Sequence, residues 1–220
     1  LLPDYLKPVS RLFRQRRNRR LVAVIDEMHV VKGTAVDVLD IGGSIIFWLS
    51  VPDRVRTECR ISLINLSGTY DGLPPEEERM KGAFTLLTGD ARDLSQFSDG
   101  AFDLIVCNSV IEHVGSWADM EAAANEALRV GRRGWVQVPA FEFPVEQHFL
   151  LPFVHWFADP VQITLLAALH HEFRRRSFHD RQMSVHHVRP LTRGQLSHLF
   201  PRAEIRSEWL IFPKSHIAIW

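Results

Sequence analysis

The chain has 220 residues, 46% of them hydrophobic, and its 26 Lys and Arg are balanced by 26 Asp and Glu. Such a length and composition suit one globular domain with a sizeable core, and zero net charge excludes global steering toward nucleic acid or an anionic membrane. Cys59 and Cys107 lie in or beside expected strands and cannot form a disulfide framework, no apolar run approaches the ~20 residues of a transmembrane helix, and no signal peptide is visible, so a cytoplasmic location is expected. The chain starts at Leu1 without a methionine, which allows for residues upstream.

Residues 1–30 read as an N-terminal helical segment. Arg11, Arg14, Arg16, Arg17, Arg19 and Arg20 form a basic run, and Leu21, Val24, Ile25 and Met28 follow at helical spacing. A solvated face over a packed apolar stripe is favoured over a phosphate-binding patch, because no second basic stripe occurs. Residues 36–41 form an apolar run of the buried parallel-strand kind, ending in Asp40 and Ile41. Gly42, Gly43 and Ser44 then lead into a new apolar segment at 45–49. The glycines remove Cβ atoms that would hold a ligand away from the backbone, and the next helix begins with free N–H groups, so the turn is built to hold something.

A second strand over residues 60–66 carries Asn65 and Leu66 at its end, and 72–78 reads as a turn with an acidic helix start. A third strand at 84–87 delivers Gly89-Asp90-Ala91, and a continuous apolar fourth strand at 102–107 is followed by Asn108, Ser109, Glu112 and His113. Those residues fall at the carboxyl edge of the sheet, where open α/β folds bind ligands. An amphipathic helix at 117–130, a turn at Gly131 and Gly134 and a fifth strand at 134–139 come next. Residues 141–190 form an insertion whose first part concentrates Phe141, Phe143, Glu146, His148, Phe149, His155 and Trp156. A helix is expected over 161–176, ending in Arg174, Arg175 and Arg176. The pairs His170-His171 and His186-His187 are adjacent, so their side chains point apart and suit no metal clamp. Thr192 caps a short helix at 191–200, and residues 204–212 and 215–220 form a hairpin across Pro213-Lys214.

Leu39-Asp40-Ile41-Gly42-Gly43 resembles the first motif of the class I S-adenosylmethionine (SAM)-dependent methyltransferases, of the type 11-like bacterial kind. Gly89-Asp90-Ala91-Arg92-Asp93-Leu94, the stretch from Gly100 through Asn108, and Val110-Ile111-Glu112-His113-Val114 resemble its later motifs, in order. Ser44 stands where a third glycine is usual, a variant that a negative φ accommodates. The resemblance implies an α/β Rossmann-like fold: a mostly parallel sheet of about seven strands, helices on both faces and an antiparallel C-terminal hairpin, in one domain spanning 1–220. It implies SAM as cofactor, lying over Asp40, Gly42, Gly43 and Ser44. Asn65 and Leu66 would sit at the ribose, Asp90 and Ala91 at the adenine, and Asn108 on the methyl side. Where the family carries an acidic residue this chain has Asn65, whose amide can accept from one ribose hydroxyl and donate to the other oxygen.

Methyl transfer is an in-line displacement, so the protein must align a nucleophile and, for a hydroxyl acceptor, remove a proton. His113, Glu112 and His148 are the candidate catalytic residues, and Glu146, His148, Phe149, His155 and Trp156 the candidate substrate contacts. Some relatives bind a divalent cation through a Glu-x-x-Glu-His sequence; here the first carboxylate is Ser109, and although Glu146 and His148 could complete a site, no metal is expected. The expected acceptor is a small molecule, sugar or glycolipid methylated at oxygen, since the 141–157 segment also resembles a bacterial subgroup that modifies surface polysaccharide or glycolipid. No nucleic-acid partner is expected, and shallow membrane contact through the Phe/Trp face is the third reading of that segment. The alternatives for the whole chain are a degenerate, non-catalytic binding module and, less favoured, a nicotinamide-dependent oxidoreductase.

Overall fold

The computed structural model describes residues 7–146 and 148–220; the start of the N-terminal segment and the Arg11 side chain lie outside the described residues. The chain divides into two compact units, Leu1–Cys107 with Glu126–Trp135, and Asn108–Asn125 with Val136–Trp220.

The first unit opens with α1 (Lys7–Lys32), which buries Leu21, Val22 and Ile25 and leaves Arg14, Arg16 and Arg19 exposed. Next come β1 (Val36–Ile41), α2 (Ile45–Leu49), α3 (Asp53–Glu58), β2 (Cys59–Asn65), α4 (Pro75–Met80), β3 (Thr85–Thr88) and β4 (Phe102–Asn108). β1 pairs in parallel with both β2 and β4, and β2 with β3. Val36, Val38, Leu39, Leu104, Ile105 and Val106 are fully buried, as strands covered on both faces require. β3 is half exposed, which is the condition of an edge strand, and it starts one residue later than the apolar pattern at Phe84 indicates. At the amino ends of β1, β2 and β4, Asp37 pairs with Arg60 (2.6 Å) and Lys32 (2.9 Å), and Lys32 also reaches Asp103. These ions seal the sheet end opposite the Gly42 turn.

α5 (Trp117–Val130) runs directly into β5 (Gly131–Pro139), so the expected turn at Gly131 and Gly134 does not exist. Gly131 serves packing: a Cβ there would lie 2.2 Å from Ile105 Cγ1. The second unit adds α6 (Asp159–Leu169), α7 (His171–Arg175), α8 (Phe178–His186), α9 (Arg193–Leu199), β6 (Glu204–Trp209) and β7 (Pro213–Ile219). The helix expected over 161–176 is thus two helices. The break falls at His170, whose extended backbone and side chain cap α7 at Phe173 N (3.3 Å). Thr192 caps α9 in a reciprocal arrangement with Gln195, as its sequence indicates. The hairpin is offset from expectation: Pro213 begins β7, and the turn comprises residues 210–212, because a proline fits the first position of a strand.

The seven strands are ordered β3-β2-β1-β4-β5-β7-β6, parallel in the pairings of β1 to β4 named above and antiparallel between β6 and β7. Among the described residues no helix is long and apolar enough to cross a membrane.

Candidate cofactor turn and histidine pair

In the first unit the chain leaves β1 through Gly42 (φ +69°), a left-handed conformation suited to glycine, and the Gly42 N–H donates to Ile64 O (2.8 Å). Gly43 is required for a different reason. A Cβ at that position would lie 2.0 Å from Asp40 Oδ2. Ser44 has φ −120°, the negative value a serine variant of this turn needs, and its side chain caps α2 by accepting from Phe47 N.

Asp40 lies beneath the turn and is wholly buried. Trp48 Nε1 donates to its Oδ2 (2.8 Å), while its Oδ1 has no partner among the described residues; burial pushes the carboxyl up to about 7, against the smaller opposing effect of the Trp48 bond. Asn65 ends β2 as expected, but its Nδ2 already donates to Gly43 O (2.8 Å) and Tyr70 Oη (2.8 Å). Both acceptors are oxygens, which fixes the amide's orientation. The expected donation to a ribose oxygen is therefore spent on the turn, and Asn65 Oδ1 is what it can offer a hydroxyl. Leu66, at 63% exposure, follows it. Asp90 closes a tight turn by accepting from Arg92 N (2.9 Å) and also holds the Arg92 guanidinium (2.6 Å at the closest), beside half-buried Ala91. Arg92 Nε also reaches both Asp90 oxygens (3.0 and 3.1 Å), so an amino group meeting this carboxylate would compete with the guanidinium.

The second unit contains a chain of ring contacts. Glu146, 3% exposed, accepts from the backbone N–H of His148 (2.7 Å) and Phe149 (2.6 Å) on one oxygen and from His148 Nδ1 (2.7 Å) on the other. His148 Nε2 meets His113 Nε2 at 3.2 Å, and His113 Nδ1 faces the His187 carbonyl (2.8 Å). Carboxylates and carbonyls only accept, so both Nδ1 atoms carry hydrogen, and the Nε2 pair needs a third proton between them. Glu146 raises the pKa of His148, while burial lowers that of His113, which places the shared proton on His148.

Glu112 is fully buried in the 3₁₀ turn Ile111–His113, its Oε1 3.9 Å from His113 Nε2. Glu146 serves as the anchor of its loop and the orienting partner of His148, a role different from metal ligation. No group of three His, Cys, Asp or Glu positioned for a metal occurs among the described residues. Asn108 ends β4, and Ser109 beyond it is held at φ +57°, its N–H donating to Gln137 O (2.9 Å). Such backbone strain in a non-glycine residue clusters at functional sites.

His155 and Trp156 lie apart from this pair in contact terms, both donating to Phe141 O (2.9 and 2.8 Å). A cavity of about 400 Å³ in the same unit is lined by Phe141, Glu146, Phe149 and His155, and also by Trp117, Gln162, Arg189 and Gln195, which the sequence did not single out. Aromatic density signals the first set; the second is assembled from three helices and one loop and leaves no local pattern.

Residues 39–136 match the family model described as a methyltransferase domain. None of the curated proteins matches the chain in sequence. Among solved structures the chain is similar to a SAM-dependent methyltransferase from Archaeoglobus fulgidus, with 12% identity, TM-score 0.55 and coverage of 94% of this chain and 93% of that one. It is also similar to magnesium protoporphyrin IX methyltransferase from Synechocystis PCC 6803 with bound SAM, with 11% identity, TM-score 0.54 and coverage of 100% and 85%. An O-methyltransferase family protein from Burkholderia thailandensis shares 13% identity and a TM-score of 0.54; the match covers 94% of this chain but 57% of that one, so this chain spans under two thirds of that relative's length. The match of residues 39–136 thus identifies that segment as a methyltransferase domain, and the solved structures share the fold of the seven-stranded sheet.

Proposed function

We propose that this chain transfers a methyl group from SAM to a hydroxyl oxygen of a small-molecule, sugar or glycolipid acceptor. SAM supplies the electrophilic methyl carbon. In the cofactor turn, Gly42 and Gly43 offer bare backbone, Asn65 Oδ1 an acceptor for a ribose hydroxyl, and Asp90 an acceptor for the adenine amino group. The observation that carries the acceptor half is the Glu146–His148–His113 chain. Glu146 fixes the tautomer of His148, and the His187 carbonyl fixes that of His113. Once the shared proton leaves, one Nε2 lone pair becomes a base whose direction both anchors set. The acceptor O–H gives its proton to that nitrogen as the oxygen takes the methyl group, leaving the demethylated cofactor and a methyl ether.

The test is turnover of SAM to its demethylated product against a panel of hydroxyl acceptors, with calorimetric binding of both cofactor forms measured alongside. His113→Gln and His148→Gln should retain cofactor binding and lose most of the turnover. A second reading, a binding module without catalysis, is favoured by one observation: the Asn65 donors are used internally. Cofactor binding with no turnover on any acceptor would support it.

A further inference from the structure

We propose that the tip of the β6–β7 hairpin, Trp209-Leu210-Ile211-Phe212, is an interfacial wedge that docks the chain on a phospholipid bilayer. The docking is separate from the methyl-transfer reading and does not rest on it.

The sequence places four apolar residues where a hairpin turn is ordinarily polar. Their side chains do not fold back on the core: Trp209 is 62% exposed, Leu210 55%, Ile211 83% and Phe212 48%. Side chains of this size, so exposed, present on the order of 400–500 Å² of apolar surface, the extent at which a patch marks an interaction site. The backbone is also prepared to leave water. The Leu210 N–H donates to Phe212 O (3.0 Å), and Pro213, opposite Trp209 in the ladder, has no N–H to satisfy.

The surrounding charges favour a bilayer over a second copy of the chain. Residues 209–213 carry no charge, and the nearest acid in sequence, Glu208, is 3% exposed with its carboxylate accepting from Ser215 Oγ (2.5 Å). A neutral tip of this kind is matched by hydrocarbon lying beneath a layer of acceptors, which the exposed Trp209 indole N–H can meet. The edge of β6 is guarded against another strand: Arg206 donates to Glu204 (2.8 Å) on its exposed face, and a bulge falls between Glu208 and Trp209. Both devices block edge-to-edge pairing.

A second exposed group is hung from the same place. Lys214 O accepts from Ala140 N (3.2 Å) just past the end of β5, and the adjoining Phe141 O holds the Trp156 indole N–H (2.8 Å). Trp156 is nevertheless 44% exposed and Phe157 48%, and Phe153, at φ +61°, is 47% exposed. With its N–H turned inward, Trp156 offers hydrocarbon outward. The wedge therefore stands at the carboxyl end of β5, where the loop of Glu146 and His148 also starts.

The test is flotation of the full chain with phosphatidylcholine vesicles at low and high salt. The chain should float with them at both, and Leu210→Ser/Ile211→Ser, a change at two exposed side chains whose fold is checked by circular dichroism, should lower the partition coefficient at least tenfold. The blue shift of tryptophan emission on adding vesicles should shrink in Trp209→Phe. The inference is overturned by no flotation, by flotation unaltered in the double variant, or by binding that needs anionic phosphatidylglycerol and disappears in high salt, which would assign it to the basic residues of α1. Sedimentation equilibrium supplies one more such outcome: a dimer dissolved by the same double substitution would make a second copy the occupant.

Discussion

His113 Nε2 and His148 Nε2 face each other at 3.2 Å, each ring pinned at its far nitrogen, to the His187 carbonyl and the Glu146 carboxylate. Two imidazole lone pairs cannot rest against each other without a proton between them, so the pair is monocationic in this geometry and titrates as a unit. Turnover should therefore rise with pH as the shared proton leaves. His148→Gln should flatten that limb and leave SAM affinity unchanged; a pH–rate profile of both forms decides it. For stability the two rings act in opposite senses. His148, raised, contributes below the ordinary value of 6.5 and loses the contribution as pH rises through its folded pKa; His113, lowered, contributes above 6.5 and loses it as pH falls through its own.

Asp40 makes a larger statement. Its buried carboxyl is raised from 3.8 to about 7, so its contribution to stability is full below pH 3.8 and is lost as pH rises through 7. That span corresponds to roughly 4 kcal/mol. Urea unfolding of the cofactor-free chain should show this loss between pH 4 and 8, and Asp40→Asn should lack it.

Gly43→Ala should destabilise the chain by about 3 kcal/mol, because the new methyl would collide with Asp40 Oδ2. Asp40→Ala/Gly43→Ala removes the two closest colliding atoms, Oδ2 and Cγ, and leaves the residue 40 Cβ at 2.8 Å, so the double variant should be more stable than the sum of the single effects requires. A thermodynamic cycle by urea unfolding reads the coupling.

Asn65→Asp installs the acidic residue usual in the resembled family, and from sequence alone a several-fold gain in SAM affinity is expected. The structure reverses that direction. A carboxylate would give up both Nδ2 donations and set an anion against the Gly43 carbonyl. A loss of about 1–3 kcal/mol in stability and no gain in SAM affinity should result, measured by unfolding and by calorimetry.

Asp90→Ala should weaken SAM binding by about 1–3 kcal/mol if the adenine amino group is met there. The same change removes the Asp90 contacts of Arg92, so Arg92→Gln, which keeps Asp90, is the control that should bind SAM normally.

What was legible in the sequence follows what is local. β1 and β4 announce themselves as unbroken apolar runs, and the Gly42 turn and Thr192 cap are written in adjacent residues. Gly131 was misleading because a glycine needed for packing on Ile105 looks the same as one needed for a turn. His170 broke a helix that hydropathy alone continues, since its cap bond to Phe173 is invisible to periodicity. The meeting of His113 and His148 joins residues 35 apart, and the cavity at Arg189 draws on still more distant ones. Residue types alone could nominate such groups but could not orient them.

Glu146 has one further consequence. The same carboxylate that orients His148 also receives the amide hydrogens of His148 and Phe149, so the course of the loop and the bearing of the imidazole are a single mechanical variable. Opening the loop releases the ring, and displacing the ring loosens the loop. Amide hydrogen exchange at Phe149 should then be slow while the relay is assembled and accelerate in Glu146→Gln, making one backbone proton a reporter for the state of a side chain three residues away.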